Sequence, residues 1–284
     1  MNIKGIKKTI IKICIIFSYV ITMIIISYQL ITYIQQGIYQ TIQNCNFKGK
    51  FQFITQGPKF KYKTNCKKDV CYSFKKIKIK ANVYDNYFVG YPFLYTPGQN
   101  FLVLYIHGQN ELFSNKKYMS KLKIWSGILN KNGNILVAPN LFANNIDSPL
   151  SFEEINLTIQ KLRVMFPNMK IYLLAFSRGG IIAYKIIADK ELIKQFDKII
   201  VLAGVLPYNI LTSTTCINIR EYPDKIKIYH GNLDINVPIK LSTNVLMNFC
   251  KNKGYDIDKT TKYLEGYDHW KLGYTKNLYK FLNY

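Results

Sequence analysis

Residues 170–185 read K-I-Y-L-L-A-F-S-R-G-G-I-I-A-Y-K, and few folds accommodate that order. Ile171 to Phe176 is a short unbroken apolar run, the pattern of a strand buried on both faces of a parallel sheet. Ile181 to Ile187 is apolar at helical spacing. Only Ser177, Arg178, Gly179 and Gly180 lie between, too few for a loop. A strand that becomes a helix so abruptly needs small residues around the turn, which Ala175, Gly179 and Gly180 supply. The apex residue, Ser177, is then pushed out at the strand's end with its hydroxyl exposed.

Strand and helix patterns alternate on both sides of this stretch. Lys76 to Lys80 alternates with period two, as an edge strand with one wet face does. Further strands are predicted over Asn86–Tyr95, Phe101–Ile106, Asn134–Pro139, Lys198–Val205, Lys225–Tyr229 and Thr260–Leu264. Helices are predicted from a Ser114 cap to Gly133, from a Ser151/Glu154 capping box to Phe166, over Pro238–Lys253 and over Thr275–Leu282. Such alternation predicts an α/β domain with a mainly parallel sheet and helices on both faces. Leu206 to Asp224 is too short to form a large lid.

The N-terminal part reads differently. Residues 1–12 form a basic tail carrying Lys4, Lys7, Lys8 and Lys12. Residues 13–34 are uncharged and overwhelmingly apolar; at about 1.5 Å per residue they span roughly 33 Å, enough for a bilayer core. No convincing small-x-small cleavage site follows, so the segment reads as a transmembrane signal anchor, with a cleaved signal peptide as the alternative. Residues 35–70 are a polar, Lys-rich stalk or linker, and residues 71–284 the folded domain. The Lys bias before the span places the domain on the lumenal or extracellular side. Asn156-Leu157-Thr158 is the sole N-x-[ST] sequence, with Asn156 expected on the outward face of its helix.

The net charge of +23 is the usual footprint of a nucleic-acid or anionic-surface binder. Lys is spread over plain surface positions, however, and no nucleic-acid recognition motif is present, so nucleic acid is not an expected partner. Of six Cys, Cys66 and Cys71 flank a turn-like segment and can pair with each other or with Cys45, or remain thiols. Their spacing is not a zinc pattern. Neither a metal nor a cofactor is implied.

The A-x-S-x-G of residues 175–179 resembles the G-x-S-x-G nucleophile elbow of the α/β-hydrolase superfamily, with Ala175 as a small replacement for the first Gly. Three further stretches extend the resemblance over residues 75–284. His107-Gly108 follows the Phe101–Ile106 strand, as the superfamily's oxyanion turn does. H-G-N-L-D-I-N-V-P at 230–238 resembles the turn that carries the family's acid, and G-Y-D-H-W at 266–270 the turn that carries its His. The resemblance implies a catalytic Ser177, Asp234 and His269, in the chain order this fold uses. It implies backbone N–H donors at Gln109 and Arg178 for an oxyanion. His107 and His230 are expected to be structural. Asp268 and Asp258 stand as rivals to Asp234. The implied activity is that of a membrane-anchored serine hydrolase acting on a small-molecule or lipid carboxylic ester through an acyl-enzyme. A thioesterase, a serine peptidase or a non-catalytic binding protein of the same fold are the alternatives.

Overall fold

The computed structural model describes residues 65–67, 70–80, 83–91, 100–109, 111, 113–141, 146 and 148–283, with only the backbone course given for parts of the first three strands. All of them belong to the unit Phe47–Tyr284. The predicted span at 13–34 and most of the predicted stalk lie outside the described residues. Among the described residues no helix is long and apolar enough to cross a membrane.

Among the described residues nine strands form one sheet: β1 Asn65–Lys67, β2 Val70–Lys80, β3 Val83–Tyr91, β4 Phe101–Ile106, β5 Ile135–Pro139, β6 Lys170–Phe176, β7 Lys198–Leu202, β8 Ile226–Gly231 and β9 Thr261–Leu264. Their order is β1-β2-β3-β5-β4-β6-β7-β8-β9. The strands from β5 to β9 run parallel, and β1, β2 and β3 pair antiparallel. β1 pairs with Val70 to Tyr72 of β2, and the Lys76–Lys80 alternation falls in β2 beyond that pairing. Cys66 and Cys71 are register partners across β1 and β2.

Among the described residues there are seven α-helices: α1 Lys116–Asn130, α2 Pro149–Met165, α3 Gly179–Ala188, α4 Ser213–Glu221, α5 Thr243–Asn252, α6 His269–Gly273 and α7 Tyr279–Leu282. The central strands are buried on both faces, which accounts for their unbroken apolar runs. On one face Leu102, Leu104, Ile171, Leu173, Ile199, Val201 and Ile228 join α2, α3, α4 and α5 in a single core. On the other, Tyr105 meets Trp125 of α1 and Tyr229 meets Phe281 of α7, each edge to face at a centroid separation of 5.0 Å.

Several boundaries differ from the sequence expectation, each for a local reason. Asn115, not Ser114, caps α1, its side chain accepting from the amides of Lys117 and Tyr118. Ser148, not Ser151, caps α2, because Pro149 fits the first helical position and starts the helix three residues earlier. Ser151 and Glu154 are therefore buried inside the helix. Asn156 is half-buried rather than fully outward. The predicted Pro238–Lys253 helix is broken at Ser242 into a 3-10 turn and α5. The predicted Thr275–Leu282 helix is only α7, since residues 275–278 are not helical. Leu206–Asp224 contains the short α4 and no large lid. Cys216 of α4 and Cys250 of α5 form a disulfide with an S–S distance of 2.06 Å, a pairing the spacing did not suggest.

Candidate active site

Strand order reverses at β4: β5 lies on one side of it and β6 on the other. In open α/β sheets such a reversal opens a crevice beyond the carboxyl ends of the two strands, because the following connections diverge. Gly108 follows β4 and Ser177 follows β6, so both stand at this crevice.

Ser177 has φ +56°, in the left-handed region that costs a non-glycine residue about 1 kcal/mol or more. Its backbone is over-determined. Its N–H donates to Leu202 at the end of β7 (3.0 Å), and its carbonyl accepts from Gly180 (2.9 Å) and Val205 (2.8 Å). The two glycines are required by close approach. A Cβ at Gly179 would come within 2.4 Å of the Ile106 carbonyl oxygen, and one at Gly180 within 2.5 Å of Gly204 Cα. The start of α3 is thus pressed against the ends of β4 and β7, which fixes where the serine hydroxyl points.

His269 is the first residue of α6, whose N-cap is Asp268. Its ring packs against Phe176 at 4.7 Å and Trp270 at 5.4 Å. Its Nδ1 lies 2.7 Å from Asp234 Oδ2 and its Nε2 lies 2.9 Å from Ser177 Oγ. An ionised carboxylate only accepts, so Nδ1 carries the proton; Nε2 is then bare and accepts from the serine hydroxyl. The three side chains form one relay from carboxylate to imidazole to hydroxyl. Ser177, Asp234 and His269 are all buried, at 7%, 6% and 4% exposure, where a polar relay is poorly screened by solvent.

Asp234 follows β8 in a tight turn. Its Oδ1 accepts from the amides of Asn236 (2.9 Å) and Val237 (2.8 Å), leaving Oδ2 for His269. The rivals do not reach the imidazole: Asp268 caps Lys271 and Asp258 stands exposed at a 3-10 turn.

The other two histidines act on the frame. His230 is fully buried, with Nε2 on the Val237 carbonyl (2.6 Å) and Nδ1 on the Thr243 hydroxyl (2.7 Å). A neutral ring satisfies both partners, donating from Nε2 and accepting at Nδ1. Burial pushes the His230 pKa below its ordinary value, against the opposing pull of the Val237 carbonyl and Asp234. The ring thereby ties the Asp234 turn to the start of α5. His107 is likewise buried between the carbonyls of Gly108 (2.7 Å) and Asn140 (3.0 Å).

Of the two backbone positions singled out as oxyanion donors, Arg178 follows Ser177 at the start of α3 and Gln109 follows Gly108. A Cβ at Gly108 would lie 3.0 Å from Ser177 Cβ, so the β4 turn abuts the serine directly. Sequence reasoning missed a buried cluster behind that turn, made of Tyr105, Glu111 and Lys121. Among the described residues no three or more His, Cys, Asp or Glu side chains gather where they could hold a metal.

No family model and no curated protein sequence matches the chain. Solved structures do match it in three dimensions. A putative dipeptidyl aminopeptidase IV from Bacteroides ovatus superimposes with TM-score 0.55 at 12% identity over 80% of this chain, which spans only 37% of that protein's length. An alpha-beta serine hydrolase homologue from Coxiella burnetii gives TM-score 0.51 at 15% identity, covering 74% of this chain and 95% of that one. A cold-adapted esterase from an Arctic intertidal metagenomic library gives TM-score 0.51 at 10% identity, with 77% and 94% covered. At such low identities the likeness is one of fold, and by that measure the chain has the α/β-hydrolase fold.

Proposed function

We propose that the protein is a serine hydrolase that cleaves carboxylic esters through an acyl-enzyme. One observation carries the reading: Asp234, His269 and Ser177 are hydrogen-bonded in series, with the serine on a strained turn at the crevice of the sheet. In this mechanism Ser177 Oγ attacks the acyl carbonyl while His269 Nε2 takes its proton. Asp234 holds the imidazole in the required tautomer and stabilises its cationic form. The amides of Gln109 and Arg178 receive the developing oxyanion. His269 then returns the proton to the leaving alcohol, and water, deprotonated by the same imidazole, releases the acid and restores the serine.

Ester chemistry is favoured over peptide chemistry by domain size. The serine hydrolase homologue and the esterase are matched over nearly their whole length, the aminopeptidase over little more than a third. Trp270, 46% exposed and packed beside His269, adds an apolar wall suited to an uncharged acyl or alcohol group. The test is labelling by a fluorophosphonate probe, followed by a panel of esters, thioesters and aminoacyl amides. Ser177→Ala, which keeps the small side chain the turn needs, should fold and lose all labelling. Labelling that survives in that variant would refute the assignment.

The reading includes an N-terminal membrane anchor at residues 13–34 and a catalytic domain outside the cytosol. The Cys216–Cys250 disulfide supports that placement, because cytosolic thiols are kept reduced. Protease protection on sealed microsomes tests it: digestion of the domain without detergent would show the opposite orientation.

A further inference from the structure

The cluster behind the Gly108 turn is not part of the proton relay, yet it holds a complete ion pair in the dry interior. Glu111 and Lys121 side chains are 2% and 1% exposed, with Lys121 Nζ 2.6 Å from Glu111 Oε1. Glu111 Oε2 accepts from the Tyr105 hydroxyl and from the Gly108 N–H, both at 2.7 Å. Lys121 Nζ also lies 2.5 Å from the Tyr105 oxygen. Rings close around the ammonium: Tyr105 and Tyr274 at 4.5 Å, Trp125 at 4.7 Å and Phe176 at 4.9 Å.

Burying two charges is expensive, and well-packed apolar residues of similar volume commonly give a fold at least as stable. Stability alone therefore does not account for this pair. Its connections do. The carboxylate is aimed at one backbone amide, that of Gly108, and a hydrogen bond from an amide to an ionised oxygen is about twice as strong as a neutral one. Gly108 is the residue that abuts Ser177, and the next peptide is that of Gln109. The ammonium rests on Phe176, whose ring supports His269.

We propose that Glu111 and Lys121 are positioning residues for the Ser177 chemistry: the carboxylate, paired with the buried ammonium, clamps the Gly108 amide and so aims the Gln109 N–H at the developing oxyanion. This rests on the serine-hydrolase reading above. The charge state of Lys121 then matters. Burial lowers its pKa to about 8; Glu111 opposes that shift and Lys117 adds to it. Tyr105, Tyr118 and Tyr274, which complete the surround, are pushed up by burial and stay neutral there. On Glu111, burial pushes the pKa up, but Lys121, Tyr105 and the Gly108 amide outweigh it and hold the carboxyl below its ordinary value. Raising the pH past about 8 thus removes the ammonium while the carboxylate persists unpaired, and the clamp loosens.

The experiment uses the full-length chain in detergent, with ester turnover and fluorophosphonate labelling rate as readouts. In Glu111→Met/Lys121→Met both charges are replaced by apolar side chains of similar length. It should melt no lower than wild type, with kcat and labelling rate down about 10- to 100-fold and KM within about two-fold, since an oxyanion contact acts in the transition state. The wild-type decline in kcat above pH 8 should be absent in the variant. If the double variant does not fold, Glu111→Gln keeps the shape and drops the charge; it should lower kcat several-fold at unchanged KM. Wild-type kcat in whichever variant folds would overturn the proposal, as would an alkaline decline that persists in it. If wild type labels at Ser177 and such a variant labels equally fast, the positioning role alone fails. A wild-type chain that neither labels nor turns over would overturn both readings.

Discussion

Breaking the Cys216–Cys250 bridge should destabilise the domain without touching its chemistry. The bridge links residues 34 apart in sequence. Closing a loop of that length in the unfolded chain costs entropy worth about 4 kcal/mol near room temperature. For a domain of this size each kcal/mol moves the melting temperature by roughly 2–4 °C, so the fully reduced protein should melt about 10 °C lower. Both cysteines are fully buried. Reduction leaves their sulfur atoms in place, whereas Cys216→Ala/Cys250→Ala adds small cavities and should fall slightly further. The site should not notice. Thr243, at the near end of α5, holds His230, while Cys250 lies seven residues along the helix, roughly 10 Å away. Calorimetry of oxidised, reduced and double-Ala protein, with ester turnover measured at 20 °C, checks both halves. Coincident melts for the oxidised and reduced forms would refute the stability argument. A drop in kcat beyond about two-fold at 20 °C would refute the claim that the bridge is remote from catalysis.

Asp234→Asn should lower kcat about 10⁴-fold with the fold intact, because an amide can donate to Nδ1 and favour the wrong imidazole tautomer; turnover and labelling rates measure it. Gly180→Ala drives a Cβ into the Gly204 backbone, and chemical denaturation should show a loss of about 1–3 kcal/mol together with reduced activity. Acidification should destabilise the domain through His230. Its folded pKa lies below the ordinary 6.5, so below pH 6.5 the unfolded chain binds a proton that the folded chain resists, and stability falls as pH falls. Melting temperatures between pH 7 and 5 read this slope, which should be shallower in a folded His230→Gln variant.

The parts of this protein that can be read from its sequence are those decided over a few residues. The strands β4, β6 and β7 announce themselves because burial on both faces demands unbroken apolar runs. Ser177, Asp234 and His269 stand out for a related reason. Each sits in a short turn after a strand of the sheet, Ser177 after β6, Asp234 after β8 and His269 after β9, and the small residues and caps of that turn are contiguous with it. Where two local signals compete, the sequence is ambiguous: Ser148 and Ser151 are both competent caps, and only the placement of Pro149 in the first turn decides between them. Where the determinant is distant, nothing local marks it. Cys216 and Cys250 are joined by the packing of two helices, not by their spacing. Lys121 is the sharpest case. In a chain with 39 Lys and Arg it resembles any surface lysine on an amphipathic helix. What makes it unusual is Glu111 and four rings drawn from β4, α1, the end of β6 and the segment after α6. The glutamate carries the only local clue: an acidic residue four positions after His107, in a turn that ends in the interior, must find a cation there or lose its charge.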